Sequence, residues 1–152
     1  MEKQLVVFKV EDEFYASDIS VVDSIIKMPE ITKLPHTPYF VEGVTNLRGT
    51  VIPIIDLRKR FGLSEAEIAK ETRIIVVDMD NLVTGMIVDA VTEVLRIQDA
   101  IIQPLSPLVY TPASQFMSGV AKLEEKLIVL LDFKKVLSQG EQISLQEFTE
   151  SL

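Results

Sequence analysis

Cysteine is absent from this chain of 152 residues. Disulfides, zinc–thiolate sites, iron–sulfur clusters and thiol catalysis are therefore excluded. Tryptophan is also absent, and a single histidine, His36, stands between Pro35 and Thr37. One imidazole builds no metal site alone, and no cluster of His, Asp and Glu at ligand spacing accompanies it. Only six glycines occur, scattered without a phosphate-binding loop of either the Gly-x-x-x-x-Gly-Lys or the Gly-x-Gly-x-x-Gly kind. A Gly-x-Ser-x-Gly elbow is missing too. Long apolar runs are lacking: the longest are about five residues, such as Leu127–Leu131, whereas a membrane span needs about 20. Positive charge is scarce, with 15 Lys and Arg against 23 Asp and Glu, a net of −8. A nucleic-acid partner calls for the opposite balance. The one basic cluster, Arg58-Lys59-Arg60, reads as a solvated turn.

Hydrophobic residues nevertheless make up 47% of the chain, and the mean hydropathy is +0.27. In short runs, that much apolar surface is either buried in sheets or displayed for docking. The N-terminus, Met1-Glu2-Lys3-Gln4-Leu5, shows no signal-peptide pattern, which with the missing cysteines points to a cytoplasmic setting.

The sequence is doubled. Gly43-Val44-Thr45-Asn46-Leu47 through Val51-Ile52-Pro53-Ile54-Ile55-Asp56 recurs as Gly119-Val120-Ala121-Lys122-Leu123 through Leu127-Ile128-Val129-Leu130-Leu131-Asp132, an offset of 119 − 43 = 76. Upstream, Leu5–Phe8 matches Ile74–Val77 and Val22–Met28 matches Val91–Ile97, an offset of 74 − 5 = 69. The second copy thus holds seven extra residues, assigned to a loop in the Pro-marked stretch 104–112. Each copy offers about five short β-branched strands, the pattern of a small barrel. Both faces of Val51–Ile55 and Leu127–Leu131 are apolar. One face can line a barrel; the other must be covered by the sister half or by another protein. Ser64-Glu65-Ala66-Glu67 and Ser144-Leu145-Gln146-Glu147 both fit a capping box, so short helices are expected over about 64–70 and 144–151.

Two β lobes that each deliver an aspartate, Asp56 and Asp132, resemble the layout of an aspartic hydrolase. In that class a small hydroxyl residue and Gly follow the Asp, whereas here Leu57-Arg58 and Phe133-Lys134 do. Those neighbours suit an aspartate that caps a following turn, so no catalytic residue is assigned. The segment Asn46-Leu47-Arg48-Gly49 reads as a hairpin turn. The second copy has Glu124-Glu125 in place of Arg48, so the turn itself does not need arginine. Partner recognition and pinning of the two lobes both remain open for Arg48.

Gly43–Leu57, Gly85-Met86-Ile87-Val88-Asp89-Ala90-Val91-Thr92-Glu93-Val94-Leu95 and Gly119–Leu123, in that order, resemble the landmarks of the CheW-like family of chemotaxis coupling proteins. The likeness runs over nearly the whole chain. It implies an all-β fold of two pseudo-repeated five-stranded SH3-like barrels, one domain over 1–152 with repeats at about 5–62 and 73–137. It also implies a non-catalytic adaptor without cofactor or metal, recruited to receptor arrays without inserting in the membrane. The implied partners are the regulatory domain of the chemotaxis histidine kinase and the helical cytoplasmic tip of a methyl-accepting chemoreceptor. The same module forms the kinase's regulatory domain, so an excised kinase domain is the alternative. A helix lies well in an apolar groove between two barrels. That groove is expected to draw on Ile19, Val22, Asn46, Leu47, Arg48 and Gly49 from the first copy, and Gly85, Val88 and Val91 from the second. Gly85 would let the helix approach closely.

Overall fold

The computed structural model describes residues 2–79, 81–104, 114–123 and 126–151. The loop assigned to 104–112, apart from Pro104, and the Glu124-Glu125 turn lie outside the described residues.

Among the described residues, eleven strands and two α-helices follow one another. They are β1 (Glu2–Val10), β2 (Glu13–Asp18), β3 (Val22–Lys27), β4 (Val41–Leu47), β5 (Thr50–Asp56), α1 (Leu57–Arg60), β6 (Arg73–Met79), β7 (Leu82–Val88), β8 (Ala90–Gln98), β9 (Ile102–Gln103), β10 (Met117–Leu123), β11 (Lys126–Leu131) and α2 (Gln139–Glu150). They form two sheets, in the orders β8-β1-β2-β11-β10-β9 and β3-β6-β7-β5-β4. This is the all-β, two-barrel architecture expected, with one difference in how it is built.

Each sheet draws on both copies of the repeat. The first sheet takes hairpin β1–β2 from the first copy and β8 to β11 from the second; the other takes β6–β7 from the second and β3 to β5 from the first. The reason is the length of the crossovers. A single residue, Asp89, separates β7 from β8, and one 3₁₀ turn, Ile19–Val21, separates β2 from β3. The tightest common hairpins need two loop residues. At Asp89 the chain cannot turn back on its own sheet and runs on into the other one.

The registers obey the two sequence offsets. Leu5 pairs with Leu95 and Val6 with Val94; their counterparts Ile74 and Ile75 pair with Ile26 and Ile25. In the parallel pairs, Ala16 lies opposite Leu130 just as Gly85 lies opposite Ile54. The duplicated sequence is therefore a pseudo-twofold structure with exchanged hairpins.

Strand alternation then divides the core. Leu5, Val7, Ala16, Ile128 and Leu130 fill the first barrel, and Ile52, Ile54, Ile74 and Val76 fill the second. The opposite faces supply Val6, Phe8, Ile55, Ile75, Val77 and Leu131 to one larger cluster between the sheets. In it Phe8 stacks on Phe133 at 5.6 Å and Phe61 on Phe116 at 5.9 Å. The second apolar face of β5 and β11 is thus covered mainly by the sister barrel. The surplus available for docking is smaller than the sequence implies: Ile19, Ile25, Val94, Leu127, Ile143 and Phe148 are among the apolar side chains left exposed.

Two helix expectations need correction. Residues 63–69 form no helix. Glu65 is committed to Lys59 at 2.9 Å and the Ser64 carbonyl accepts from Arg58 Nη1 at 3.3 Å, which holds this segment extended against α1. The C-terminal helix starts at Gln139, earlier than the expected 144. Of the two Ser-x-x-Glu frames it uses Ser138 and Glu141, with Glu141 N donating to Ser138 Oγ at 3.1 Å and Ser138 N donating to Glu141 Oε1 at 2.7 Å. Arg60 also holds Glu141, which favours that frame.

Candidate functional site

The hairpin β4–β5 closes at Arg48-Gly49, with Leu47 paired to Thr50. Both turn residues have positive φ, 52° at Arg48 and 85° at Gly49. That is the two-residue turn whose twist suits flanking strands, and it favours residues that tolerate left-handed backbone. Asn46 remains in β4; its Oδ1 accepts from Gly49 N at 2.9 Å and holds the loop shut. Placing an arginine in the left-handed region costs conformational energy that an Asn or Gly would not incur. Its guanidinium reaches β3, with Nη2 donating to Asp23 Oδ2 at 3.0 Å and to Ser24 Oγ at 3.4 Å. In the sheet order β3 and β4 are opposite edges, so this pair closes one barrel on itself. Pinning of the two lobes to each other is not what Arg48 does. The pair is open to water, with the arginine side chain 68% and the aspartate 46% exposed. Leu47 is half-buried against the cluster of the same barrel.

Apart from Gly85 within β7, the remaining expected residues sit in or beside the two crossovers between the sheets. Ile19 and Val22 belong to the first crossover and the start of β3, Val88 and Val91 flank the second in β7 and β8, and they are pseudo-equivalent, since 88 − 19 and 91 − 22 both equal 69. Ile19 is exposed, and Val22 and Val91 are half-buried against the central core. Val88 is not a groove residue: it is buried in that core. Gly85 is not one either. A Cβ there would meet Ile54 Cδ1 at 2.7 Å and Ile74 Cγ2 at 2.8 Å, so the glycine makes room for the barrel's own side chains and not for an incoming helix. Of the expected set, Ile19, Val22, Val91 and the Asn46–Gly49 turn stay exposed or half-buried. Edge strands β3 and β8 add Ile25 and Val94, exposed at pseudo-equivalent positions that alternation alone did not single out.

The basic triplet is the feature that the sequence reading placed wrongly. Arg58, Lys59 and Arg60 are each only about a fifth exposed and each is paired. Arg58 grips Asp89 with Nε and Nη2, the shortest contact 2.6 Å. Lys59 meets Glu42 at 2.6 Å, and that carboxylate holds the ammonium well above its ordinary value. Arg60 donates Nε to the Val136 carbonyl at 2.7 Å, pairs with Glu141 at 3.1 Å, and lies over the rings of Phe40 and Phe116 at 4.3 and 5.2 Å. Phe40 and Phe116 are pseudo-equivalent, 116 − 40 = 76. Arg60 therefore contacts the same position of both copies. Turn-like spacing hid this; the two Phe residues at the repeat offset were the available signal.

Asp56 and Asp132 are caps. Asp56 Oδ1 accepts from Arg58 N and Asp132 Oδ1 from Lys134 N, both at 3.0 Å. They end strands of different sheets. Burial pushes the Asp56 carboxyl above its ordinary value, opposed by the Arg58 amide. Among the described residues no group of three or more His, Cys, Asp or Glu is placed to hold a metal ion. Among them, too, no helix is long and apolar enough to cross a membrane.

Residues 4–141 match the model of the CheW-like domain. "Chemotaxis protein CheW" of Klebsiella aerogenes is 33% identical over 149 residues, covering 98% of this chain and 90% of the relative. That of Bacillus subtilis is 34% identical over 137 residues, 90% of this chain and 88% of the relative. The crystal structure of scaffolding protein TtCheW from Thermoanaerobacter tengcongensis superposes with a TM-score of 0.86 at 40% identity, covering 93% of this chain and 97% of that one. With a matching family model over residues 4–141, relatives above 30% identical over nearly their whole length and a superposing scaffold structure, this chain belongs to the CheW-like domain family of non-catalytic chemotaxis scaffolds.

Proposed function

We propose that this chain couples the helical cytoplasmic tip of a chemoreceptor to the regulatory domain of the chemotaxis histidine kinase, at receptor arrays on the cytoplasmic side of the membrane. The observation that carries the receptor contact is Arg48. It is held in a left-handed turn, largely in water, paired with an Asp23 that is itself exposed, and the second copy has no arginine there. An exposed ion pair contributes only about 0–1 kcal/mol to stability, too little to explain a strained position. A fork of donors beside half-buried Leu47 can instead meet a carboxylate or a carbonyl at the end of a helical turn. Ile19, Val22 and Val91, in and beside the crossovers, supply the apolar side of the contact. The kinase domain, sharing this fold, is assigned to the exposed edge strands, where Val94 on β8 and Ile25 on β3 offer apolar positions.

The test is calorimetric titration of the protein with a receptor-tip hairpin fragment and, separately, with the kinase regulatory domain. Arg48→Glu and Ile19→Asp should each weaken the receptor tip by a factor of about ten or more, as rim-to-core anchors do. Neither should alter the kinase domain's affinity or the circular dichroism spectrum. A wild-type protein that ignores the receptor tip, or variants that bind it unchanged, would overturn the assignment.

A further inference from the structure

Asp89 is the whole of the crossover between β7 in one sheet and β8 in the other. Three elements converge on it. Its backbone N–H donates to the Lys9 carbonyl of β1 at 2.9 Å, and its Oδ2 accepts from Glu11 N in the β1–β2 turn at 2.7 Å. The same carboxylate accepts from Arg58 of α1, at 2.9 and 3.1 Å from Nε and 2.6 Å from Nη2. Arg58 is anchored in turn: its backbone N–H donates to Asp56 Oδ1 and its Nη1 to the Ser64 carbonyl. One side chain thus ties the hairpin of the first sheet to the helix that ends β5 of the second.

The pseudo-twofold supplies an internal control. The counterpart of Asp89 is Ser20 (89 − 69) and that of Arg58 is Lys134 (58 + 76). At that crossover the turn is held by Asp18, whose Oδ1 accepts from Ser20 N at 2.9 Å. Ser20 brings no charge, yet the exchanged hairpin forms there equally well. The fold itself does not demand a carboxylate–guanidinium clamp at a crossover. Only one of the two has it.

We infer that Arg58 and Asp89 are positioning residues that fix the angle between the barrels, and through it the distance from Val91, beside the clamped crossover, to Ile19 and Val22 at the other. This rests on the receptor contact proposed above, and neither residue touches the receptor. A bidentate, partly buried pair has one geometry, whereas a neutral turn tolerates several. Loosening it lowers the population of the binding-competent arrangement, and affinity falls by that fraction.

The absence of cysteine makes the measurement clean. Spin labels at Lys27→Cys on β3 and Lys122→Cys on β10, both exposed and in different sheets, report the inter-barrel distance. Asp89→Asn and Arg58→Gln are each expected to broaden that distribution and to weaken the receptor-tip fragment by a factor of about ten. The double variant should be no worse than either alone, because the two residues act as one. Arg58→Lys, which keeps the charge but not the fork, should fall between. A distribution as narrow as wild type in all three single variants, with only the melting temperature lowered, would make the pair merely structural and overturn the inference. If the wild type fails to bind the receptor tip, the partner assignment fails, and the distance distributions still judge the clamp by themselves.

Discussion

Replacing Arg60 with alanine tests the core of the structural account. Its guanidinium donates to the Val136 carbonyl at 2.7 Å, pairs with Glu141 on α2 at 3.1 Å, and covers Phe40 and Phe116. A hydrogen bond from a charged group is worth about 1.5–3 kcal/mol. Each ring contact adds roughly 0.5–2 kcal/mol when desolvated, and the part-exposed ion pair at most about 1. These terms share one side chain and do not add; a loss of about 3 kcal/mol is the expectation. For a chain of this size that lowers the melting temperature by roughly 6–12 °C. Arg60→Lys keeps the charge without the planar fork and should lose about half as much. With no tryptophan present, urea unfolding is best followed by circular dichroism. A loss below about 1 kcal/mol, or a lysine variant equal to wild type, would show that the guanidinium does not pin the copies together.

Three further outcomes follow from the geometry. Gly43 has a φ of 148° at a β-bulge and a Cβ there would collide with the Thr32 carbonyl, whereas at Gly49 nothing lies within 4 Å. Gly43→Ala should therefore cost more than about 3 kcal/mol, and Gly49→Ala only about 1, measured by urea unfolding; equal losses would refute the crowding argument. Gly85→Ala meets flexible side-chain ends and should fall between, at about 1–3 kcal/mol. Folded Asp56 holds its proton more tightly than the ordinary 3.8, so its contribution is fully present below that value and lost as pH rises through its raised folded value. Asn caps as well and does not titrate, so the stability of wild type relative to Asp56→Asn should decline as pH rises above the ordinary 3.8, and a rise would contradict it.

What the sequence made legible was correspondence. The offsets of 69 and 76 identified which residues are equivalent, and the registers follow them strand by strand. Correspondence does not say which strands pair. The exchange of hairpins is decided by the one-residue link at Asp89, too short to reverse the chain, and a β-run reading does not weigh that. Asp56 and Asp132 were readable as caps because a cap is local. Val88 and Gly85 were misplaced because burial is set by the opposite sheet, which no single strand shows. Arg58-Lys59-Arg60 looked like a solvated turn because its partners, Asp89, Glu42 and Glu141, lie far away in sequence. The helix expected over 64–70 failed for a more local reason: Arg58 holds the Ser64 carbonyl and Lys59 holds Glu65, which tie the segment to α1.

The claim that most needs a direct measurement is that one molecule holds both partners at once. Light scattering after size exclusion, with the protein, the receptor-tip hairpin and the kinase regulatory domain mixed in equal amounts, reads it from mass alone. A single species with the summed mass of all three, present only when this chain is included, is the predicted result. Two separate binary complexes, with receptor tip and kinase domain displacing each other, would contradict a coupling role.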